Sequence, residues 1–222
     1  MAAKWAAIAG IVFGVLFVVG LIMVSDTPDN SDSDETIINW YADSSNQQKE
    51  LIGAYIMVVA GIAAVTFVTI GLKPRVEAAS RNQGDAALAA LVQPAALLMA
   101  AAFIIGVMAL AGAAATAFFD DVPVDPGVAR FLPGAGYGTI LVGGALCAAF
   151  LMTITSIHAL RTGSLPAWFA WLGFLCALAM LGGVIFLPMI ALPIWAIVGG
   201  VVLWMRGEPA VSRSTGTLSP QP

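Results

Sequence analysis

Six long apolar stretches free of charged side chains alternate along the chain with short polar segments. A helix rises about 1.5 Å per residue and a bilayer's hydrocarbon is about 30 Å thick, so a crossing needs roughly 20 such residues. The first stretch runs from Trp5 to Val24, the second from Leu51 to Leu72, the third from about Pro94 to Phe118 and the fourth from Gly138 to Leu160. The run from Ala167 to Met205 is too long for one helix, and Pro188 and Pro193 interrupt it. Proline removes a backbone donor and breaks the ladder, so this run reads as a fifth helix over 167–187, a tight turn and a short sixth over about 190–205. The pattern predicts an all-α integral membrane fold, a six-transmembrane-helix bundle over 1–206 with a large acidic outer loop. Residues 207–222, rich in Ser, Thr, Pro and Gly, read as a disordered cytoplasmic tail.

Composition agrees with that solvent. Of 222 residues, 60% are hydrophobic and 10% charged, with a mean hydropathy of +0.94. This excludes the soluble enzyme classes, because too little charge is present to coat a surface in water. A net charge of −4 argues against nucleic acid as a partner, since phosphate recognition needs a concentrated basic face. Charge also sets the orientation. Lys4, Lys73, Arg75, Arg81, Arg161, Arg206 and Arg213 fall on the side of the termini, against Lys49 and Arg130 on the other. Positive residues stay inside, so both termini are expected in the cytoplasm. Lys4 precedes an apolar stretch too long for a secretory signal, which reads as a retained anchor. Trp5, Trp168, Trp171 and Trp204 fall near cytoplasmic ends of the spans and Trp195 near an outer end, where an indole suits the interface.

The first outer loop, 25–50, opens with an acidic low-complexity tract and continues into Thr36, Ile37, Ile38, Trp40 and Tyr41, with Ser33 or Asp34 placed to cap a short surface helix. Trp40 and Tyr41 either anchor that helix at the interface or dock a partner. The loop over 73–85 extends its neighbouring helices slightly, and Gln93 and Pro94 divide a surface segment from the third span. Ala6, Gly10 and Gly14 recur every four residues, and the third span carries a run of Ala and Gly from Ala100 to Ala117. Small residues let backbones approach, which marks the third span as the central helix and Gly10 and Gly14, with Trp40 and Tyr41, as candidate partner contacts.

Candidate chemistry is sparse. Single His158 lies about 30 Å down the fourth span, near Arg161, with no second His, Cys or carboxylate at ligand spacing, so no metal is implied and His158 reads as structural. Cys147 and Cys176 sit near mid-bilayer, where a thiol is inert packing. No cofactor motif or nucleophile set occurs. Thr66, Thr69, Gln93, Thr153, Ser156 and His158 gather in the cytoplasmic half of the spans; they either line a shallow polar pocket open to the cytoplasm or bond back to their own helices. The expected role is therefore non-enzymatic: an accessory or scaffold subunit packed against another membrane protein or a second copy. The alternative is a binder or transporter of a small lipophilic molecule.

The stretch Ile37-Ile38-Asn39-Trp40-Tyr41-Ala42-Asp43 and the run from Arg161-Thr162-Gly163-Ser164-Leu165-Pro166-Ala167-Trp168 to Gly173, followed by Pro188 and Leu192-Pro193-Ile194-Trp195, resemble a large group of uncharacterised bacterial six-span inner-membrane proteins. That resemblance implies the fold and brings no activity, substrate or catalytic residue.

Overall fold

The structure, a computed structural model, describes residues 2–28, 31–120, 123–182 and 187–207. Among these the chain is all-helical. Its helices are α1 (Ala2–Val24), α2 (Asp34–Ala42), α3 (Ser44–Ala79), α4 (Gln83–Leu110), α5 (Gly112–Asp120), α6 (Pro126–Thr162), α7 (Ala167–Leu181) and α8 (Ala191–Arg206), with a 3-10 turn at Leu187–Ile190. α1, α3, α4 and α6 are long and apolar enough to cross a membrane; α7 and α8 are shorter apolar helices of 15 and 16 residues.

Local chemistry sets the boundaries. Ser33, extended at φ −66° and ψ 155°, accepts from the Thr36 amide and starts α2. The Asp43 carboxylate accepts from the Ser45 amide and hydroxyl at the head of α3, and these bonds hold it below the usual carboxylate range. Its contribution is present above the unfolded carboxyl's value and is lost as pH falls through the lowered one. Asp125 caps α6 with Pro126 in its first turn, which carries that helix well upstream of Gly138. At the other end Gly163 adopts φ +73°, the left-handed conformation that closes a helix, and Pro166 starts α7 three residues later. Two π-helical segments, Phe67–Leu72 and Thr139–Gly144, lie within α3 and α6. The first ends two residues before Pro74, whose missing amide and bulky ring disfavour a regular turn there.

The six longer apolar helices close into a ring in chain order, with α1 against α3, α3 against α4, α4 against α6, α6 against α7, α7 against α8 and α8 back against α1. Glycines set the seams. A Cβ on Gly106 of α4 would stand 2.9 Å from the Gly136 carbonyl of α6, and one on Gly136 would stand 2.6 Å from the Gly106 carbonyl. Gly20 faces Met57 and the Gly53 carbonyl across α1–α3, and Gly200 meets the Ala7 carbonyl across α1–α8. Large side chains fill the middle. Phe17 meets Phe103 edge-on at 5.5 Å, and Trp195 stands between Phe67 and Phe169, both at 5.9 Å.

Several expectations are corrected. The third span does not divide at Gln93 and Pro94; α4 runs through Pro94, whose ring lies on the exposed flank, and the break comes at Ala111, where ψ is −1°. The Ala-rich helix is not the central one, since α4 exposes Leu97, Leu98, Ile105 and Met108, while α6 is the most enclosed of the long helices. Trp195 is 1% exposed and belongs to the core, because α8 turns it inward against two aromatic rings. The fifth helix is described over Ala167–Leu181; residues 183–186 of the expected span and most of the expected tail lie outside the described residues.

Thermal unfolding of the purified chain tests the seams. Gly200→Ala, which drives a methyl into a backbone carbonyl, is expected to cost about 1–3 kcal/mol. Gly138→Ala, with nothing within 4 Å of the added carbon, is expected to be neutral or to stabilise by up to about 1 kcal/mol. Equal effects at the two positions would show that backbone approach does not limit stability.

Candidate functional site

Buried polar side chains gather mainly toward the two ends of the ring. One end holds Lys4, Lys73, Arg75, Arg81, Arg161 and Arg206 and is termed the basic end. There the turn between α3 and α4 meets the end of α6. The His158 ring is fully buried; its Nε2 is 3.1 Å from Ser80 Oγ, and its Nδ1 is 3.2 Å from Thr162 Oγ1 and 3.3 Å from Ser164 Oγ. Asp85, with a side chain 3% exposed, sits 3.2 Å from Arg161 Nε and accepts from the Arg81 amide. Arg81 donates to the Thr162 carbonyl at 3.1 Å, and Arg75 donates to the carbonyls of Leu203 and Gly207 at the end of α8. Lys73 donates to Gln93 Oε1 at 2.6 Å. This lattice ties α3, α4, α6 and α8 together.

A serine hydroxyl beside an imidazole is the first half of a nucleophile–base pair. Here the second ring nitrogen meets hydroxyls in place of an orienting carboxylate, and no ring surface is open to a substrate. The arrangement ties the turn between α3 and α4 to the end of α6.

The opposite, acidic end is built differently. Lys49 pairs with Asp26, and Arg130 binds Asp34 at 2.7 Å and the Asp32 carbonyl at 2.7 Å, fastening the segment before α2 to the start of α6. α2 lies over a small apolar cluster of Ile37, Tyr41, Ala113, Ala114, Ala117, Val124 and Ala129. Gln47 Nε2 donates to the Tyr41 carbonyl at 2.5 Å. Burial pushes the Tyr41 hydroxyl far above its ordinary range, and Glu50 and Tyr137 add to the shift. Beneath α2, Glu50 is 1% exposed, and neither of its carboxylate oxygens has a hydrogen-bond partner. A cavity of about 280 Å³ opens under α2, lined by Tyr41, Gln47, Ala117, Pro123 and Val124 among others.

The sequence-derived candidates take distinct places. Thr66 Oγ1 donates to the Ile62 carbonyl at 2.9 Å and Thr153 Oγ1 to the Ala149 carbonyl at 2.7 Å, each on its own helix. Thr69 Oγ1 is buried without a partner, Gln93 is held by Lys73, Ser156 lies against Gly173, and His158 belongs to the basic-end lattice. No hydrogen bond among the described residues joins any two of these six. Thr153 lines a groove of about 380 Å³ between α6 and α7 whose other walls are apolar. Gly10 and Gly14 are filled from within the chain, by Phe67 and Ala196 and by Ile197 and Pro193. Tyr41 is 3% exposed and points inward, while Trp40 stacks edge-on against it at 4.8 Å.

Sequence reading missed two carboxylates. Its charge places Glu50 in the outer loop, yet α3 starts at Ser44 and buries it; the spacing Gln47, Glu50, Ala54, Met57, Ala64 is a helical stripe that contains it. Asp85 follows Asn82 by three residues, the spacing of a helix start, and its amide donates to Asn82 Oδ1 while its carboxylate accepts from the Arg81 amide. Among the described residues no group of three His, Cys, Asp or Glu is placed to hold a metal ion. Comparison with protein-family models, with curated proteins and with solved structures finds no match to this chain.

Arg161→Ala is expected to leave Asp85 buried without its cation and to destabilise the chain by about 1–3 kcal/mol, with Arg161→Lys costing less. Denaturant unfolding of both variants is the check; indistinguishable curves for wild type and Arg161→Ala would remove the pair from the account.

Proposed function

We propose that the chain is an integral membrane protein with six spans, formed by α1, α3, α4 with α5, α6, α7 and α8, and that it serves as a non-enzymatic accessory or scaffold subunit packed against another membrane protein. One observation carries the first part. Around the waist of the ring the exposed residues are large and apolar, among them Val15, Ile62, Leu98, Ile105, Leu146, Phe150, Leu175 and Leu178, whereas charged groups stand at the two ends. Water rejects such a belt, and hydrocarbon accepts it. α3 and α6, at 36 and 37 residues, reach roughly 55 Å and so extend beyond a bilayer of about 30 Å, which leaves Ser80, Arg81 and Arg130 in the aqueous zones.

Orientation follows from the cations. The basic end faces the cytoplasm of a bacterial inner membrane, and the acidic end with α2 faces out.

The accessory role draws support from the lateral surface. Two apolar grooves open sideways, the one between α6 and α7 and a second of about 480 Å³ lined by Ala54, Tyr55, Met108, Ala111, Gly112 and Phe119. Apolar grooves with alanine on their floors, and Gly112 in the second, accept the side chains of a neighbouring helix. Since Gly10, Gly14 and Tyr41 are used inside the chain, contact with a partner falls on these flanks.

Two measurements test the reading. With Cys147 and Cys176 replaced by alanine, Gln48→Cys should react with an impermeant maleimide on intact cells, while Gln83→Cys should react only after permeabilisation; the reverse result overturns the orientation. Extraction in mild detergent should yield the chain within a larger assembly, and a strictly monomeric species without another bound protein would overturn the accessory role.

A further inference from the structure

We propose that Glu50 is a proton-binding site that holds α2 shut: the neutral carboxyl lies sealed beneath the helix, and loss of its proton releases α2 from α3. A carboxylate deprived of water is costly unless a donor or a cation meets it. Glu50 is 1% exposed, and neither of its oxygens has a hydrogen-bond partner. The cations of this end stand elsewhere, Lys49 with Asp26 and Arg130 with Asp34. Tyr41 of α2 lies close enough to feel the charge of Glu50, Tyr137 of α6 approaches Tyr41 in turn, and neither brings a positive charge. In such surroundings the carboxyl keeps its proton, and the group is neutral in the closed protein.

Of the elements around Glu50, α2 is the one that can give way. The long helices are held at close seams, α3 against α1 at Gly53 and Gly20. α2 has nine residues and buries only Ile37 and Tyr41, against a small cluster of alanines and Val124. Its direct bond to α3 runs from Gln47 Nε2 to the Tyr41 carbonyl, one turn from Glu50 on the same face of α3. Lifting Tyr41 breaks that bond and uncovers the carboxyl, and so short an element opens at low cost. Once open, Glu50 meets water and ionises in the ordinary carboxyl range, near about 4.3. Above that range the open form carries one proton fewer than the closed form. Each further pH unit therefore shifts the balance about tenfold toward opening, until the closed carboxyl itself ionises. Exposed carboxyls, lysine, arginine and tyrosine titrate outside the range of about pH 5.5 to 7.5, and the single histidine, His158, belongs to the opposite end of the ring. The proposal depends neither on the orientation in the membrane nor on the accessory role.

The test is thiol labelling of the full chain in detergent, with Cys147 and Cys176 replaced by alanine. Ile37→Cys places a thiol on the buried face of α2, and Asn39→Cys places one on its exposed face. The ratio of their reaction rates with a maleimide cancels the thiol's own dependence on pH and reports the opening of α2. Between about pH 5.5 and 7.5 that ratio should rise about tenfold per pH unit. With Glu50→Gln it should not change with pH. A ratio that stays constant in the chain that retains Glu50, or an equal rise with Glu50→Gln, overturns the proposal. Should Glu50→Gln fail to fold, Glu50→Leu carries the test, since it removes the ionisable group at similar size; a ratio that still rises with pH there overturns the site.

Discussion

Where α4 crosses α6, the carbonyl of Gly106 faces the missing side chain of Gly136, and the carbonyl of Gly136 faces the missing side chain of Gly106. That reciprocal approach draws the two backbones to their closest contact, and the same device recurs at Gly20 with Gly53 and at Gly200 with Ala7. In the bilayer proposed for this chain no apolar driving force would separate helix from surroundings, so van der Waals contact along such seams would supply cohesion. Close seams also fix the diameter of the ring. The space left at its centre is then filled by Phe17, Phe103, Phe67, Trp195 and Phe169, whose edge-on and stacked rings occupy it without polar cost except at the Trp195 indole nitrogen.

The two ends solve a different problem. Helix termini leave unpaired carbonyls and amides, and at the basic end arginine side chains reach across to them, from Arg81 to Thr162 and from Arg75 to Leu203 and Gly207. Those contacts join elements far apart in sequence and lock the ring where the loops are shortest. The acidic end has a lid helix in place of a lattice, held by Arg130 and Lys49, and it encloses space as well as side chains.

Much of this was readable from residue order, and the failures have physical causes. Apolar runs located the long helices because a run of twenty residues without charge has few other solutions, and Ser33 announced α2 by its capping chemistry. Proline misled at Pro94, since an exposed flank tolerates a missing donor that a buried one does not. Alanine content misled about which helix is enclosed: small side chains permit close approach, but the outward-facing Leu98, Ile105 and Met108 decided the matter for α4. Glu50 escaped notice because charge was read as a loop marker, whereas its helical spacing from Gln47 and Ala54 placed it on the inner stripe. Gly10 and Gly14 suggest a contact for a partner, but residue order does not say whose helix fills such a face; here α8 and Phe67 of α3 do.

The ring is closed by its last helix on its first. While the ribosome is still producing the middle of the chain, the glycine face of α1 has only α3 beside it, and the slot that will receive Ala196 and Ile197 is vacant. Assembly therefore contains one step that cannot proceed in parallel with synthesis, and its timing is set by the arrival of α8. Until then the Gly10–Gly14 face of α1 lacks the helix that covers it in the folded chain, and an uncovered face of that kind can pair with a wrong helix.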